Sequence, residues 1–354
     1  IHNLYGKKVK SLYDQWWDKI GTSLKIAKNA KELEHYRANL KPGDVALLGC
    51  LTEGGVGLQT GNNGKYIAIR KSSKWAANVI TSRPKKLADV VRKYKITEKE
   101  LDGMSPLDFL ENKTEEEIAN KFDDLKEKYG RDIFGRGYIY KLIDDSEIAD
   151  VDNLTEDEKE NGIDSSKNFY VPYDKGDKDG NRWYLETPFA IAWSKENVHF
   201  LKTNSGKKGQ GMPVVRNPQF YFREGFCWSD INTTFLKCRY KSKSINDVKS
   251  MSLYSQTFNV PNYYIVSLIN STFFSSYVDA FINNTQTFQI NDARQLPIII
   301  PSSIQLIQVK KIYNDAKQIK KLQFTQNINT SKAKNELVKI QNQLDTVVSE
   351  LYSI

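Results

Sequence analysis

Apolar residues along the chain switch between helical and strand spacing, and the switches mark its elements. Residues 4–40 read as helix, with VKSLYDQWWDKI placing Val9, Leu12, Trp16 and Ile20 at helical intervals. Gly43 and Asp44 break that pattern. VALLGCL and KYIAIRK then read as strands flanking a glycine-rich connection, GGVGLQTGNNG. Helical spacing returns over 83–160, where TEKE (Thr97 to Glu100) and TEEE (Thr114 to Glu117) carry the hydroxyl and carboxylate of capping boxes. Short runs of strand character follow from 167 to 240: FYVPY, RWYLE, AIAWS, QFYFREGFCWS and TTFLKCRY, with Asp179-Gly180 as a hairpin-turn dipeptide. Residues 262–280 read as helix and 286–300 as extended chain. Two apolar-striped helices, 303–324 and 331–352, close the sequence; Leu337, Ile340, Leu344, Val347 and Leu351 mark the second stripe. Such stripes suit an antiparallel helical pair or a face that meets a missing neighbour.

These elements predict a mixed α/β protein of the α+β kind, with short, mainly antiparallel strands. Three segments are expected: an N-terminal helical segment (1–42) continuing from a missing upstream domain, a body (43–302) carrying a helical insertion at about 83–162, and a terminal helical pair (303–354). The 354 residues, 39% apolar and 12% aromatic, supply ample core for two or three domains. A start at Ile1 without a leader reads as part of a longer chain, and no apolar run nears the ~18 residues of a membrane span, so no membrane partner is expected. Cys50, Cys227 and Cys238, with His2, His35 and His199, are scattered without metal-ligand or disulfide spacing, which suits a reducing cytoplasm.

Charge sharpens the picture. Residues 98–162 hold 21 Asp and Glu against 9 Lys and Arg, a net of −12, which leaves +21 on the remainder of a chain whose total is +9. A body that basic points to a polyanion, because Lys and Arg bind phosphate through Coulomb attraction and counterion release. A lysine-rich solvated surface is the plainer explanation. The acidic block is expected to face away from nucleic acid and to offer a contact for a protein partner.

Several stretches imitate catalytic motifs. LTEGGVGLQTGNNG has the glycines of a nucleotide loop (Gly55, Gly57, Gly61), but the strand-like KYIAIRK follows where an anion-binding helix should begin. Asn217-Pro218-Gln219-Phe220 resembles the adenine-gripping tetrapeptide of amino-methyltransferases yet departs at its third position, and reads as a proline-marked start of a strand. DKGDKDG misses the calcium-loop register, because Lys175 stands where the first acid belongs. Asp157-Glu158-Lys159 sits in a charged loop instead of the buried strand a nuclease would use. Three isolated histidines support no nucleophilic triad, and His199 reads as a packing residue at a strand edge.

Four polar clusters share amides, hydroxyls, basic groups and aromatics punctuated by glycine. They are Gln59, Thr60, Asn62, Asn63 and Lys65; Tyr173 and Lys175 with Arg182; Arg223, Trp228 and Ser229 with Arg239; and Asn283, Thr285, Gln286, Thr287, Gln289, Asn291 and Arg294 in FINNTQTFQINDARQLPI. Asn and Gln pair with adenine and Arg with guanine, while hydroxyls and amides hold phosphate, so this is the chemistry of a DNA reader. Each cluster alone would pass as a solvated turn. Gln286, Gln289, Asn291 and Arg294 are the expected contacts to bases or nearby backbone; Lys65, Lys175, Arg182 and Arg223 are expected at phosphates. Phe288, Leu296 and Pro297 are expected to anchor the last cluster, and Asp292 to cap its turn or pair with Arg294.

The same residues carry a family resemblance. GLQTGNNGKYIA resembles the G-[IL]-x-T-G-x-N opening of the target-recognition region in large adenine-specific DNA methyltransferases of bacterial restriction and phage-defence systems. PYDKGDKDGNRWY is similar to their P-Y-x-K-G-x-x-R-x-W-Y segment, FREGFCWSDI to x-E-G-[IF]-x-W-[ST], and NNTQTFQINDARQLPI to N-x-T-x-x-[FI]-x-x-x-D-[IA]-R-x-[LI]-P-[IV]. The order agrees over about 45–301, and the last motif is nearest to restriction-associated adenine methyltransferases that accompany enzymes cutting outside their site, with the BREX phage-exclusion methyltransferase next. The resemblance implies a target-recognition domain that binds double-stranded DNA. The catalytic half, with S-adenosylmethionine as its cofactor and the flipped adenine as its substrate, would lie upstream. This part would hold no catalytic residue, cofactor or metal. Two other classes stay open: a protein-interaction module using the acidic insertion and terminal helices, and a self-contained nuclease or methyltransferase with divergent motifs.

Overall fold

The computed structural model describes residues 30–353 apart from 131–132, 135–139, 178–179, 210, 230–235, 284 and 286. Val9, Leu12, Trp16, Ile20, Asp179 and Gln286 lie outside the described residues. In chain order the elements are α1 (Ala30–Asn39), β1 (Val45–Leu47), α2 (Leu48–Leu51), β2 (Thr52–Gly55), α3 (Asn63–Tyr66), β3 (Ile67–Arg70), α4 (Lys74–Tyr94), α5 (Pro106–Asn112) and α6 (Glu115–Tyr129). There follow β4 (Lys141–Ile143), α7 (Glu156–Asn161), β5 (Tyr170–Asp174), β6 (Phe189–Ala192), α8 (Lys195–Thr203), β7 (Gly225–Ser229), β8 (Cys238–Lys241) and β9 (Ser250–Ser255). The chain ends with α9 (Asn262–Ile269), α10 (Thr272–Phe281), α11 (Ile290–Ala293), β10 (Pro297–Ile299), α12 (Ser303–Phe324) and α13 (Thr330–Tyr352). Helix occupies 51% and strand 17% of the described residues, in small sheets, which is the expected α+β class.

The chain divides into two units, each assembled from separated segments. The first comprises Ile1–Gly57, Gly176–Glu186 and Arg223–Ile354; the second comprises Leu58–Lys175 and Thr187–Phe222. The sequence reading drew linear boundaries near 42 and 302 instead. Contacts cross those points: Arg37 of α1 donates to the Cys50 carbonyl (2.6 Å), and α12 and α13 share the first unit's core, where β1 runs antiparallel to β10.

In the first unit β2, β9, β7 and β8 form an antiparallel sheet in that order. NYYIVSLI is apolar on every side, so α9 buries Tyr264 through Ile269 against β7, β8 and α12. Phe226, Trp228, Leu253, Phe274, Leu296, Ile312, Leu344 and Val348 complete this core. The terminal helices match the sequence reading at nearly every boundary, and Ile340 and Leu344 of the predicted stripe are buried. Residues 262–280, expected as one helix, are two, bent by 64° at Asn270 and Ser271. The reason is a side chain that takes over backbone pairing. Wholly buried Asn270 accepts from the Cys238 amide (2.9 Å) and donates to the Cys238 carbonyl (2.8 Å), and its own carbonyl receives Arg182 and Gln341 Nε2 (3.2 Å). Ser271 then caps α10 by accepting from the Phe274 amide.

In the second unit the strand order is β4, β3, β6, β5, with β3–β4 parallel and the other two pairings antiparallel. The acidic stretch is no appendage to this unit: α4, α5 and α6 enclose a core of Leu87, Val90, Phe109, Ile118, Phe122 and Phe134. Buried Arg83 is held by both Glu115 oxygens (2.7 and 2.9 Å) and the Tyr140 carbonyl (2.6 Å). Both predicted capping boxes form. Helix α4 begins at Lys74, earlier than the expected start at 83, because Ser73 caps it and Ala76, Val79, Arg83, Leu87 and Val90 form one buried stripe that runs through Pro84. Within 83–160, expected as helix, β4 interrupts because Leu142 and its neighbours pair with β3.

Other expectations change too. RWYLE makes only a bridge from Trp183 to Arg239, Pro218–Phe220 form a 3₁₀ turn that takes in the start of the QFYFREGFCWS run before β7, and residues 290–293 of the 286–300 stretch form α11. His199 is exposed on α8 instead of lying at a strand edge, its helix capped by Ser194. No single helix among the described residues is long and apolar enough to cross a membrane.

Asn270→Ala should destabilise the protein by roughly 1–3 kcal/mol, because the buried Cys238 amide loses its side-chain acceptor, while the Cys238 carbonyl keeps the Trp183 amide (2.9 Å). Urea unfolding followed by tryptophan fluorescence reads this; an unchanged midpoint would remove Asn270 from its structural role.

Candidate nucleic-acid interface

The cluster between β2 and β3 is a folded turn in the second unit, not an open cradle. Gln59 pairs through its backbone with Val214 (3.0 and 2.8 Å), and Thr60 donates to Asn63 Oδ1 (2.6 Å). Gly61 has φ +71°, and a Cβ there would stand 2.2 Å from the Gly211 carbonyl, so close backbone approach explains this glycine. A one-turn helix, α3, then leads into β3. The glycine loop therefore lacks the long following helix that a cofactor's anion would need. Gln59 and Lys65 are exposed, with Asn62 and Asn63 partly so; Lys65 Nζ lies 5.2 Å from the Phe200 ring.

Burial removes several candidates from any surface. Thr60 is buried, and Tyr173, fully buried, donates to the Leu58 carbonyl (3.2 Å). Lys175 is spent within the fold: its ammonium donates to the Tyr140 hydroxyl (2.8 Å) and lies 5.4 Å from the Phe189 ring. In the first unit Arg182 was expected at phosphate, but it binds the Asn270 carbonyl and Gln341 Oε1 (2.8 Å), and desolvation pulls its pKa down to about 10. Arg239 is 2% exposed and Trp228 1%, so both are interior residues. Ser229 is committed to Asp177, accepting from its amide and donating to its carbonyl, each at 2.8 Å. Arg223 remains exposed, its guanidinium 5.3 Å from the Tyr254 ring.

The third and fourth clusters meet. Trp228 Nε1 donates to the Phe288 carbonyl (2.8 Å) with the two rings 5.6 Å apart, which fixes the middle of FINNTQTFQINDARQLPI to β7. Phe288 and Leu296 are buried and Pro297 begins β10, as anchors should be. Between them the polar residues hold one another. Asn283 Nδ2 donates to the Thr287 carbonyl (2.8 Å) and Asp292 Oδ2 (3.0 Å), while Asn283 Oδ1 accepts from the Thr285 amide (2.9 Å) and hydroxyl (2.7 Å). Asp292 also accepts from the Gln289 amide (2.8 Å), capping α11. Arg294 reaches Asn291 Oδ1 (3.3 Å) and the Gly54 carbonyl (3.4 Å), and its own carbonyl takes the Gly49 amide (2.9 Å). Thr285, Thr287, Gln289 and Asn291 remain exposed on this framework, and Asn283 and Arg294 partly so.

The sequence reading took residues 303–324 as an apolar stripe and left the charged side of α12 unassigned. Lys310, Lys317, Lys320 and Lys321 recur there at helical spacing, a signal that was legible beside Tyr313 and Phe324. Among the described residues no group of His, Cys, Asp and Glu side chains could hold a metal ion. No protein-family model matches this chain, and no curated protein matches its sequence.

Asp292→Ala should cost about 1 kcal/mol as a lost cap and speed amide exchange across 283–290, where its carboxylate holds both ends of the turn. Unchanged hydrogen exchange in that segment would show that the turn does not depend on it.

Proposed function

We propose that this chain reads double-stranded DNA as the target-recognition part of an N6-adenine DNA methyltransferase of a restriction or phage-defence system, methyl transfer being supplied by a separate catalytic domain. One observation carries the reading. The segment with the most extended family-like pattern is a surface turn whose amides and hydroxyls are exposed at 285, 287, 289 and 291 while Phe288 and Leu296 fix its backbone. A reading segment needs this combination, because base contacts discriminate only when the side chains bearing them are held in register. The +21 outside residues 98–162 supports it through phosphate attraction.

In this reading Gln289 and Asn291 offer amides suited to adenine edges, and the partly exposed Arg294 stands beside them. Exposed Arg223 and Lys65 serve at phosphates. S-adenosylmethionine and the chemistry at the flipped adenine belong to the catalytic domain, and no residue of this chain takes part in methyl transfer.

Titration of labelled duplexes should give binding that weakens steeply as salt rises. No affinity at low salt, or affinity indifferent to salt, would remove the DNA reading. Arg294→Ala should relax preference at one base pair by roughly 1–3 kcal/mol in competition binding against a substituted-duplex library. A uniform loss across all sequences would move Arg294 from base reading to phosphate binding.

A further inference from the structure

One face of α12 carries ammonium groups seated on aromatic rings. Lys317 Nζ lies 3.6 Å from the Tyr240 ring centroid and 5.7 Å from that of Tyr313. Lys321 Nζ stands 5.5 Å from Tyr184, Lys320 Nζ 5.4 Å from Phe324, and Lys310 Nζ 5.8 Å from Tyr263. All of these residues belong to the first unit. Lys310 and Lys321 are exposed and Lys317 and Lys320 half-buried. Lys320 also donates to Asn181 Oδ1 (2.8 Å). The acids that face the cluster are Glu224, which accepts from the Tyr240 hydroxyl and lies toward Lys317, and Asp177, toward Lys320.

We propose that this lysine face docks the phosphate backbone of duplex DNA, as a second contact beside the 283–294 turn; the inference rests on the DNA reading above. Contact with the rings narrows the conformations these lysines sample, so less side-chain freedom is lost when an anion arrives. Lys310 to Lys321 covers ~16 Å of helix, enough to face several consecutive phosphates, which lie about 3.4 Å apart along the axis of one strand. Burial lowers the pKa of Lys317, with the Lys321 charge adding to it, and burial lowers that of Lys320. Phosphate oxygens would relieve that repulsion and replace the lost hydration.

The test measures duplex affinity as a function of salt for wild type and for the triple variant K317Q/K320Q/K321Q. If each lysine meets one phosphate, the slope of log K against log salt should fall by about 0.9 per lysine, so by about 2–3 in total, equally on all sequences. Base preference should stay as in wild type, unlike the expected behaviour of Arg294→Ala. If the triple variant unfolds by circular dichroism, the exposed pair K310E/K321E is measured instead and should lower the slope by about 2. Wild-type binding whose slope survives in a folded variant overturns the lysine face and leaves the DNA reading standing. Absence of any duplex binding by wild type removes both.

Discussion

The first unit depends on the pairing of one buried amide with one residue's backbone. Asn270 presents both halves of its side-chain amide to Cys238 on β8, beside the Trp183 amide that shares the same carbonyl. A helix that ran on through residue 270 could not serve the sheet in this way, so the chain bends, and α10 starts again from Ser271. The Asn270 carbonyl, freed from helical pairing, gathers Arg182 from the loop and Gln341 from α13. A sheet strand, a loop, a helix break and the terminal helix are thus tied at one residue. Interior polar groups are costly when unpaired, and this network leaves few alternatives for packing the terminal helices.

The same economy governs the polar turn at 283–294. Its Asn, Thr and Asp side chains look available in the sequence, yet many are used to hold the turn: Asn283 and Asp292 between them take amides and carbonyls from both ends. What stays outward is a narrower set. Trp228 and Phe288 supply the floor, and a tryptophan that resembled a surface reader becomes a beam beneath it.

The acidic helices also change meaning. In the sequence they are a charged insertion; in the second unit they wrap an apolar core and neutralise much of their charge locally, as Arg83 with Glu115 and Lys121 with Asp102. Exposed pairs of this kind add little stability, whereas the buried Arg83 fork fixes how α6 meets the loop before β4.

Local signals were readable directly. The terminal helices, both capping boxes, the apolar α9 and the anchors Phe288 and Leu296 follow from spacing and capping chemistry acting within a few residues, and that is information a single sequence holds. The candidate site was legible only as composition. Which of its residues face outward depends on partners distant in sequence: Tyr173 is spent on Leu58, Arg182 on Asn270 and Gln341, and Lys175 on Tyr140. The interleaving of the two units, the bend at Asn270 and the lysines of α12 seated on Tyr184 and Tyr240 arise in the same way. By itself the sequence determined the terminal helices, the capping boxes, the α+β class and the pool of polar residues, because those follow from short-range periodicity. Only the tertiary structure decided which of that pool is interior, because burial and hydrogen-bond satisfaction are settled by contacts that no local pattern encodes.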